Sequence, residues 1–266
     1  MDRTVWLQYL TPAQAIARRE RCSALLIPIA PIEWHGPHLP LGTDPLIATH
    51  VAERAAALLG ATVYPALYVG TERDRPAAML RSIGLPEDAR IEGMDFPRNT
   101  YRSFYFREEI FALVVRDAVN LALANKYRVV HIVNGHGAAN QLEVIKRLCA
   151  ELDDPRGQRV IWGYAFPEEL LAGSIAHAAA EETSLMLHLE PECVHLDAIP
   201  KNGPLKNTDF AIVDGPTFDC DPTPDKSVRS EVDPRTRSDE AAGKRYVEAT
   251  ARETAARIRS YLGDKR

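Results

Sequence analysis

The chain has 266 residues, of which 45% are apolar, so it is long and apolar enough to bury a sizeable core. Its net charge of −5, with lysines and arginines scattered rather than clustered, argues against a nucleic-acid-binding surface. No segment has the apolar length of a membrane span, and the N-terminal stretch MDRTVWLQYLTPAQ has no apolar run of signal-peptide length.

The spacing of the cysteines indicates whether the protein works in a reducing or an oxidising compartment. Cys22, Cys149, Cys193 and Cys220 lie far apart, without a CxxC pair. Such spacing is typical of reduced thiols rather than of a disulfide scaffold or a zinc ribbon. We therefore expect a cytoplasmic protein that binds neither membranes nor nucleic acid.

Apolar strands alternate with helices along the chain. Apolar runs predict strands over residues 23–29, 61–69, 128–133 and 158–163, the first of them buried on both faces. Pro65 suggests a bulge or an edge position in the second strand. Amphipathic spacing and capping residues predict helices over residues 11–20, 46–59, 108–126, 139–152, 177–189 and 240–262. This alternation predicts an α/β fold with a largely parallel sheet and helices on both of its faces.

Two segments lack such patterns. Residues 70–105 are charged and then turn-rich, and we interpret them as an excursion near the mouth of a site, such as a lid or a subunit contact. Residues 201–239 are rich in Pro, Asp and Lys and are predicted to form a long loop. Loops of this length are usually functional or flexible.

The stretch after the first predicted strand, PIAPIEWHGPHLPLGTDP at residues 28–45, contains Glu33, His35, His38 and Asp44. Its five prolines restrict the backbone, and in an extended segment Glu33 and His35 point to one side while Trp34 points to the other. Carboxylate and imidazole ligands on a stiff loop suit zinc, manganese or iron. Two alternatives stay open, since Asp44 and Pro45 also form a helix-start signal and a His-rich loop can be an ordinary surface loop.

A second candidate ligand follows another predicted strand. His136 lies in the sequence NGHG at residues 134–137, directly after the strand at 128–133. Because the carboxyl ends of parallel strands share the edge where ligands bind, His136 is expected to meet the first loop. The alternative is an ordinary β–α turn in which His136 is merely polar.

Glu182 is a third candidate ligand. Helical steps from Glu182 reach Leu185 and Leu189, so its carboxylate is predicted to point towards the core. A buried carboxylate is costly unless it is paired or binds a metal, and a salt bridge with an arginine is the alternative. His177 lies five residues earlier, a position that suits the helix start and a reach into the site from another angle. A capping role is the alternative for His177.

Three motifs, in this order, resemble the creatininase (creatinine amidohydrolase) family. They are PIEWHGPHLPLGTD, which is similar to the family's glutamate–histidine–aspartate loop, NGHG at 134–137 and HAAAEETS at 177–184. The similarity runs from about residue 22 to the last helix and is weakest at 70–105 and 201–239. It implies a single domain over residues 1–266 with a three-layer α/β/α fold, a homo-oligomer that is often a hexamer, and two divalent metal ions per chain.

The resemblance also implies a role for each motif residue. The implied ligands are Glu33, Asp44 and His136 for one metal, and His35, Asp44 and Glu182 for the other. His177 would transfer protons. Creatininase itself carries a glutamate two residues after the motif histidine, where this chain has Ala138. This departure argues against creatinine as the substrate and gives the ligand role to Glu182.

The resulting hypothesis is a two-metal hydrolase that opens or cleaves a small polar, cyclic substrate at an amide C–N bond, with His177 passing the proton to the leaving group. The predicted substrate-binding residues are Trp34, Arg73 and Arg75, although a solvated charged loop is the alternative for the two arginines. His38 either lines the site or hydrogen-bonds within its own loop, and we expect the second. Three other functions stay open: hydrolytic C–C cleavage of a cyclic polyol ketone, a lyase or isomerase reaction through a metal-stabilised enolate, and a non-catalytic, ligand-binding relative.

Overall fold

The computed structural model of the chain describes residues 4–82, 85–96, 99, 101–173, 175–201, 205 and 232–263. Within these ranges the α-helices are α1 (Pro12–Arg21), α2 (Thr43–Leu59), α3 (Ala77–Ser82), α4 (Glu108–Ala124), α5 (Ala139–Leu152), α6 (Glu168–Gly173), α7 (Ala180–Leu189), α8 (Pro234–Arg237) and α9 (Glu240–Leu262). Most of the loop predicted at 201–239, including Cys220, lies outside the described residues.

In the described part of the chain, four strands form a parallel sheet in the order β2–β1–β3–β4. They are β1 (Ala24–Ile29), β2 (Thr62–Val63), β3 (Val129–Asn134) and β4 (Arg159–Tyr164). In the register of the three longer strands, Ile29 lies opposite Asn134, and Asn134 lies opposite Tyr164. The carboxyl ends of β1, β3 and β4 therefore meet at one edge.

The second predicted strand is shorter than the apolar run that predicted it. The prediction covered residues 61–69, but only Thr62 and Val63 pair continuously with β1. Pro65 follows and has no amide hydrogen to donate to a neighbouring strand. Pairing resumes as an isolated bridge between Leu67 and Ile29. This edge of the sheet is therefore interrupted at the proline.

Helices cover both faces of the sheet and produce three layers. On one face, α2, α7 and α9 pack against side chains such as Leu26 and Val133. On the other face, α4 and α5 pack against Leu25, Ile27 and Ile132. Every residue of β1 and β3 is buried, which explains their continuous apolar sequences. The fold is therefore the three-layer α/β/α sandwich that the sequence indicated.

Two helices begin three residues away from the predicted start, and both differences position a candidate site residue. α2 begins at Thr43 rather than at residue 46, so Asp44 lies inside the first turn, where the helix dipole favours a carboxylate. α7 begins at Ala180 rather than at residue 177, because Ala178 has a φ of +54°, which a right-handed helix does not allow. His177 therefore lies in the loop before the helix.

The last helix holds α7 against the body of the protein. A Cβ on Gly243 would overlap the backbone oxygen of Ser184, so glycine allows α9 to cross α7 closely. The Asp239 amide, at the start of α9, donates a hydrogen bond to Ser184 Oγ at 2.9 Å. Since α7 carries Glu182, these contacts determine where that carboxylate lies.

The excursion at 70–105 packs over the first loop. Trp34 joins an apolar cluster with Leu80, Leu85, Ile91, Met94 and Phe96. Antiparallel bridges pair Ile32 with Phe104 and Asp74 with Glu92. The excursion is therefore attached to the stretch that carries most of the candidate ligands.

Two observations bear on the predicted location of the protein. None of the helices in the described part of the chain combines the length and the apolar character that crossing a bilayer requires. Cys22, Cys149 and Cys193 are free thiols. The cytoplasmic location itself stays a prediction.

Candidate metal centre

Five carboxylate and imidazole side chains meet at the carboxyl edge of the sheet. They come from the loop after β1, the first turn of α2, the loop after β3 and the first turn of α7, and they are Glu33, His35, Asp44, His136 and Glu182. Each of them is at most 5% exposed. The structure thus brings together all five residues that the sequence indicated as ligands.

Asp44 belongs to two groups of donor atoms. Its Oδ2 lies 3.0 Å from His136 Nδ1, and Glu33 Oε2 lies 3.2 Å from the same nitrogen. Its Oδ1 lies 3.0 Å from His35 Nε2, and Glu182 Oε2 lies 3.9 Å from that nitrogen. Within each group, one ligand atom of every residue lies within 4.8 Å of the others. Asp44 therefore contributes one oxygen to each group.

The protonation states in this cluster depend on one another. Burial disfavours the charged form of His35, but Asp44 and the other carboxylates outweigh burial and raise the pKa of His35 to about 10. Burial opposes charge on His136 as well, and Glu33 and Asp44 again raise its pKa above the usual range. Burial raises the pKa of Glu182 to about 8, against the opposing effect of His35. Without a metal, protons on the two imidazoles and on Glu182 therefore balance the Glu33 and Asp44 carboxylates, and a bound cation would replace these protons.

Two donor atoms in the cluster have no hydrogen-bond partner among the described residues. They are Glu33 Oε2 and His136 Nε2, and both are buried. Leaving a buried polar atom unpaired costs roughly 1–3 kcal/mol, so such atoms usually have a partner. Carboxylate oxygens and imidazole nitrogens are donors that suit zinc, manganese and iron. The residues present therefore fit divalent metal ions.

Backbone constraints hold His136 against Asp44. A Cβ on Gly135 would overlap the backbone oxygen of Asp44, so glycine allows β3 to end this close to α2. Asn134 stabilises the turn, since its Nδ2 donates to the His136 carbonyl oxygen at 2.5 Å. Gln141 in α5 donates in turn to Asn134 Oδ1 at 2.7 Å. The NGHG turn is therefore held by α2 on one side and by α5 on the other.

His177 reaches the cluster from the loop before α7. Its Nε2 donates a hydrogen bond to the Trp34 carbonyl oxygen at 2.7 Å, because a carbonyl oxygen can only accept. Its ring centroid lies 4.3 Å from that of His35, and its Nδ1 lies 4.0 Å from Glu33 Oε2. Burial and the charge of His35 lower the pKa of His177 to about 4. Near pH 7 this imidazole is therefore neutral, with its proton on Nε2 and a lone pair on Nδ1.

The backbone before α7 orients Glu182. Ala178 has a φ of +54°, a value that residues other than glycine rarely adopt, and in this conformation its amide donates to Glu182 Oε2 at 2.6 Å. His38 binds the next residue of the helix, since its Nε2 donates to Thr183 Oγ1 at 2.9 Å. The Thr183 hydroxyl donates to the Ala179 carbonyl and can only accept from His38. The expectation that His38 bonds within its own loop is therefore wrong, because α7 packs against that loop.

A cavity of about 550 Å³ opens beside the cluster. Besides Glu33, Asp44, His136, His177 and Glu182, its wall includes the apolar or aromatic side chains of Met94, Tyr164, Phe166, Leu171 and Ile175. Trp34 is not part of this wall in the described residues, because its ring is 8% exposed and packs into the apolar cluster of the excursion. Of Trp34, only the backbone carbonyl bonds a site residue.

Arg73 and Arg75 both line the cavity, but each guanidinium group is paired with carboxylates. Arg73 Nη2 lies 2.9 Å from Glu108 Oε2 and 3.0 Å from Glu143 Oε2. Arg75 Nη2 lies 3.2 Å from Glu72 Oε2. Each guanidinium group is therefore already engaged by at least one carboxylate, and the substrate-binding role of the two arginines stays a prediction.

The structure adds one residue that the sequence did not reveal. The Tyr105 hydroxyl donates to Glu33 Oε1 at 2.5 Å. Tyr105 lies at the end of FPRNTYRSFY, where neither periodicity nor a motif distinguishes it from its aromatic neighbours. No local signal could have identified it, because the contact depends on how the excursion packs over the first loop.

Comparison with known sequences finds one family and three kinds of relative. The sequence model of the creatininase family, described as creatinine amidohydrolase, matches residues 8–258. The creatinine amidohydrolase of Pseudomonas putida is 25% identical over 198 residues, which are 68% of this chain and 69% of that protein. The mycofactocin precursor peptide peptidase of Mycolicibacterium smegmatis is 31% identical over 176 residues, which are 66% of this chain and 61% of that protein. The 3-dehydro-scyllo-inosose hydrolase of Thermotoga maritima is 30% identical over 88 residues, which are 33% of this chain and 28% of that protein.

Comparison with solved structures finds the same fold. The crystal structure of creatinine amidohydrolase (creatininase) has a TM-score of 0.68 at 21% identity and covers 98% of this chain and 99% of that chain. A structure described as creatininase Mn has a TM-score of 0.68 at 22% identity with the same coverage. A mutant creatininase described as the Zn–Zn type has a TM-score of 0.67 at 22% identity, again with this coverage. At these identities the likeness establishes the fold alone.

Proposed function

Because the chain belongs to the creatininase family of metal-dependent hydrolases, we propose that it hydrolyses an amide C–N bond of a small polar substrate with two divalent metal ions. The observation that carries this proposal is the position of Asp44, which gives one oxygen to each of two donor groups. We assign Glu33 and His136 to one ion, His35 and Glu182 to the other, and Asp44 to both.

The donor set suits zinc, manganese or iron. When bound, a pair of such ions polarises a carbonyl group and lowers the pKa of a bound water to about 7. The contribution of the chain is a buried and rigid set of donors. The prolines of residues 28–45 and the packed NGHG turn restrict the backbone that carries most of them.

We assign proton transfer to His177. Because the hydrogen on its Nε2 is held by the Trp34 carbonyl, Nδ1 is the atom that can accept a proton. Nδ1 lies beside Glu33, at the cluster. A neutral imidazole in this position accepts a proton from the attacking water and then donates it to the leaving nitrogen. Both transfers use Nδ1, so the bond to Trp34 stays in place throughout.

The cavity favours a substrate without a net negative charge. Arg73 and Arg75 are already paired with carboxylates, so neither offers a free cation to a substrate anion. Phe166 and Leu171 contribute apolar surface to the same cavity. We therefore propose a cyclic amide whose non-reacting part is uncharged. Creatinine itself is disfavoured, because Ala138 stands where creatininase has a glutamate.

Hydrolytic C–C cleavage of a cyclic polyol ketone is a second candidate. This candidate is favoured by the sequence similarity between 88 residues of this chain and the 3-dehydro-scyllo-inosose hydrolase of Thermotoga maritima. The same proton path would serve this reaction, with His177 donating to the leaving carbon instead of to nitrogen. Polyol ketones therefore belong in the substrate screen beside cyclic amides and short peptides, and incorporation of oxygen from labelled water separates hydrolysis from a lyase or isomerase reaction.

We also propose a homo-oligomer, for which the family resemblance suggests a hexamer. Several large apolar side chains are exposed in and around the excursion: Tyr68, Tyr101, Phe104, Phe106 and Leu113. Contact with further copies of the chain would remove this apolar surface from water. Size-exclusion chromatography with light scattering measures the number of chains directly.

Metal content tests the proposed centre. Protein purified without chelators is expected to contain two zinc, manganese or iron ions per chain by elemental analysis. Glu182→Gln should lower this number towards one, because it removes a charged ligand while preserving side-chain volume. Glu181→Gln is the matched control, since Glu181 is the preceding residue of the same helix and is not in either donor group.

Two outcomes would contradict the proposal. Two ions in the Glu182→Gln protein would refute the assignment of Glu182 as a ligand. A wild-type protein that takes up neither zinc nor manganese, and that hydrolyses none of the amides or ketones, would favour the non-catalytic alternative.

A further inference from the structure

We infer that Tyr105 is a positioning residue for the metal centre, because its hydroxyl holds the Glu33 carboxylate with Oε2 turned towards Asp44 and His136. The inference rests on the proposed role of Glu33 as a metal ligand. Tyr105 donates to Glu33 Oε1 at 2.5 Å, and Glu33 is only 1% exposed. Water therefore has little access to replace the tyrosine as the donor.

The two oxygens of Glu33 have different surroundings. Oε1 accepts the hydrogen bond from Tyr105. Oε2 has no hydrogen-bond partner among the described residues, and it lies 3.2 Å from His136 Nδ1 and 3.9 Å from His35 Nε2. The last torsion of a glutamate side chain is broad, so a bond to one oxygen determines where the other points. Outer hydrogen bonds of this kind orient metal ligands.

The Tyr105 hydroxyl is itself held in place by the middle of the excursion. The Met94 amide donates to the hydroxyl oxygen at 3.2 Å, which leaves the hydroxyl hydrogen for Glu33. Gly93 has a φ of +53°, and a Cβ at this position would lie 2.5 Å from the same oxygen. Glycine therefore makes room for the phenol. The hydroxyl thus has a donor on one side and an acceptor on the other, which specifies the direction of its hydrogen bond.

Backbone pairing on both sides of Glu33 supports this contact. The Phe104 amide donates to the Ile32 carbonyl at 2.8 Å, and the Trp34 amide donates to Ser103 Oγ at 3.1 Å. The excursion is therefore more than a wall of the cavity, because it supplies the hydrogen bond that orients one ligand. Glu33 belongs to two groups of donor atoms, one with Asp44 and His136 and one with His35 and His177. Its Oε2 lies closer to His136 Nδ1 than to His35 Nε2, so the ion that we assign to Glu33, Asp44 and His136 should depend on this contact.

Tyr105→Phe tests the inference, since it removes the hydroxyl and retains the ring. The readout is the number of ions per chain, measured by elemental analysis after dialysis against a graded series of EDTA concentrations. The ion assigned to Glu33 should bind about 10–100-fold more weakly in the variant, while the second ion is retained. The variant should therefore pass through a plateau of one ion per chain. Tyr101→Phe, with an exposed ring in the same segment, is the control and should match the wild type.

Other outcomes show whether the inference about Tyr105 fails alone or together with the proposed metal centre. If Tyr105→Phe releases both ions as the wild type does while Glu33→Gln loses one, the inference is wrong and the centre stands. If Glu33→Gln retains both ions, both proposals fail. The Tm, measured without and with added metal, distinguishes a positioning role of Tyr105 from a role in folding. If Tyr105 positions the ligand, Tyr105→Phe should have the Tm of the wild type without metal and a smaller rise in Tm when metal is added. A lower Tm of the metal-free variant with an unchanged metal-induced rise would replace the inference with a structural role.

Discussion

We predict that buried His131 makes the folded protein less stable in acid. Replacing His131 should remove its contribution to the pH dependence of the free energy of unfolding. It is 1% exposed in the middle of β3, on the face whose neighbours Val129 and Val133 pack against α2 and α9. Neither ring nitrogen has a hydrogen-bond partner among the described residues. Burial, with a contribution from the positive charge of Arg257, lowers the pKa of His131 from 6.5 to about 3.

The size of the effect follows from these two pKa values. Between them, the unfolded chain binds a proton at this residue and the folded protein does not. The contribution of neutral His131 to the free energy of unfolding is therefore fully present above the unfolded pKa of 6.5. It is lost as the pH falls from 6.5 towards 3. At pH 5, about 1.5 units below the unfolded pKa, the loss is about 2 kcal/mol at roughly 1.4 kcal/mol per unit. This loss hardly changes with the folded pKa as long as the folded pKa stays below 5.

His131→Met provides the comparison, because methionine has a similar volume and does not titrate. The free energy of unfolding in urea is measured for both metal-free proteins at pH 7 and at pH 5. The other histidines are common to both proteins, so their contributions cancel. The wild type should lose about 2 kcal/mol more than the variant. An equal loss in the two proteins would show that the folded protein also accepts a proton at this position, and it would refute the reasoning.

Three further predictions concern the metal centre. Asp44→Asn should lower the content of both ions, because Asp44 belongs to both donor groups, and elemental analysis showing the loss of one ion only would contradict that shared position. His177→Gln should retain both ions and lower kcat by about 10²–10⁴-fold in steady-state kinetics, whereas loss of metal would make this residue a ligand. Gly135→Ala should destabilise the protein by about 1–3 kcal/mol and reduce its metal content, because the added Cβ would overlap the Asp44 backbone. Gly137→Ala is its control in urea unfolding, since nothing lies within 4 Å of a Cβ there; equal stability of the two variants would show that the overlap is relieved without cost.

Helix caps and apolar periodicity are local properties of the sequence. Where these local signals alone specify a helix, its first and last residues agree with the prediction. α5 (Ala139–Leu152) and α9 (Glu240–Leu262) have the predicted bounds. The errors occur where a tertiary contact or a special backbone geometry intervenes. The second strand ends before Pro65, where the sequence had suggested only a bulge or an edge position, and the positive φ of Ala178 delays the start of α7. The short helix α6 (Glu168–Gly173) lies where the sequence shows no clear periodicity.

The sequence by itself determined the α/β/α class and the set of candidate ligands. Strand and helix periods specify the layers, and the proline-rich loop and the NGHG turn follow strands whose carboxyl ends must share an edge. Only the tertiary structure decided that Arg73 pairs with Glu108, that Nδ1 of His177 is the nitrogen not bonded to Trp34 and that Tyr105 bonds to Glu33. The physical reason is sequence separation. Trp34 and His177 are 143 positions apart, and Glu33 and Tyr105 are 72 positions apart, so packing rather than any local pattern determines whether they meet.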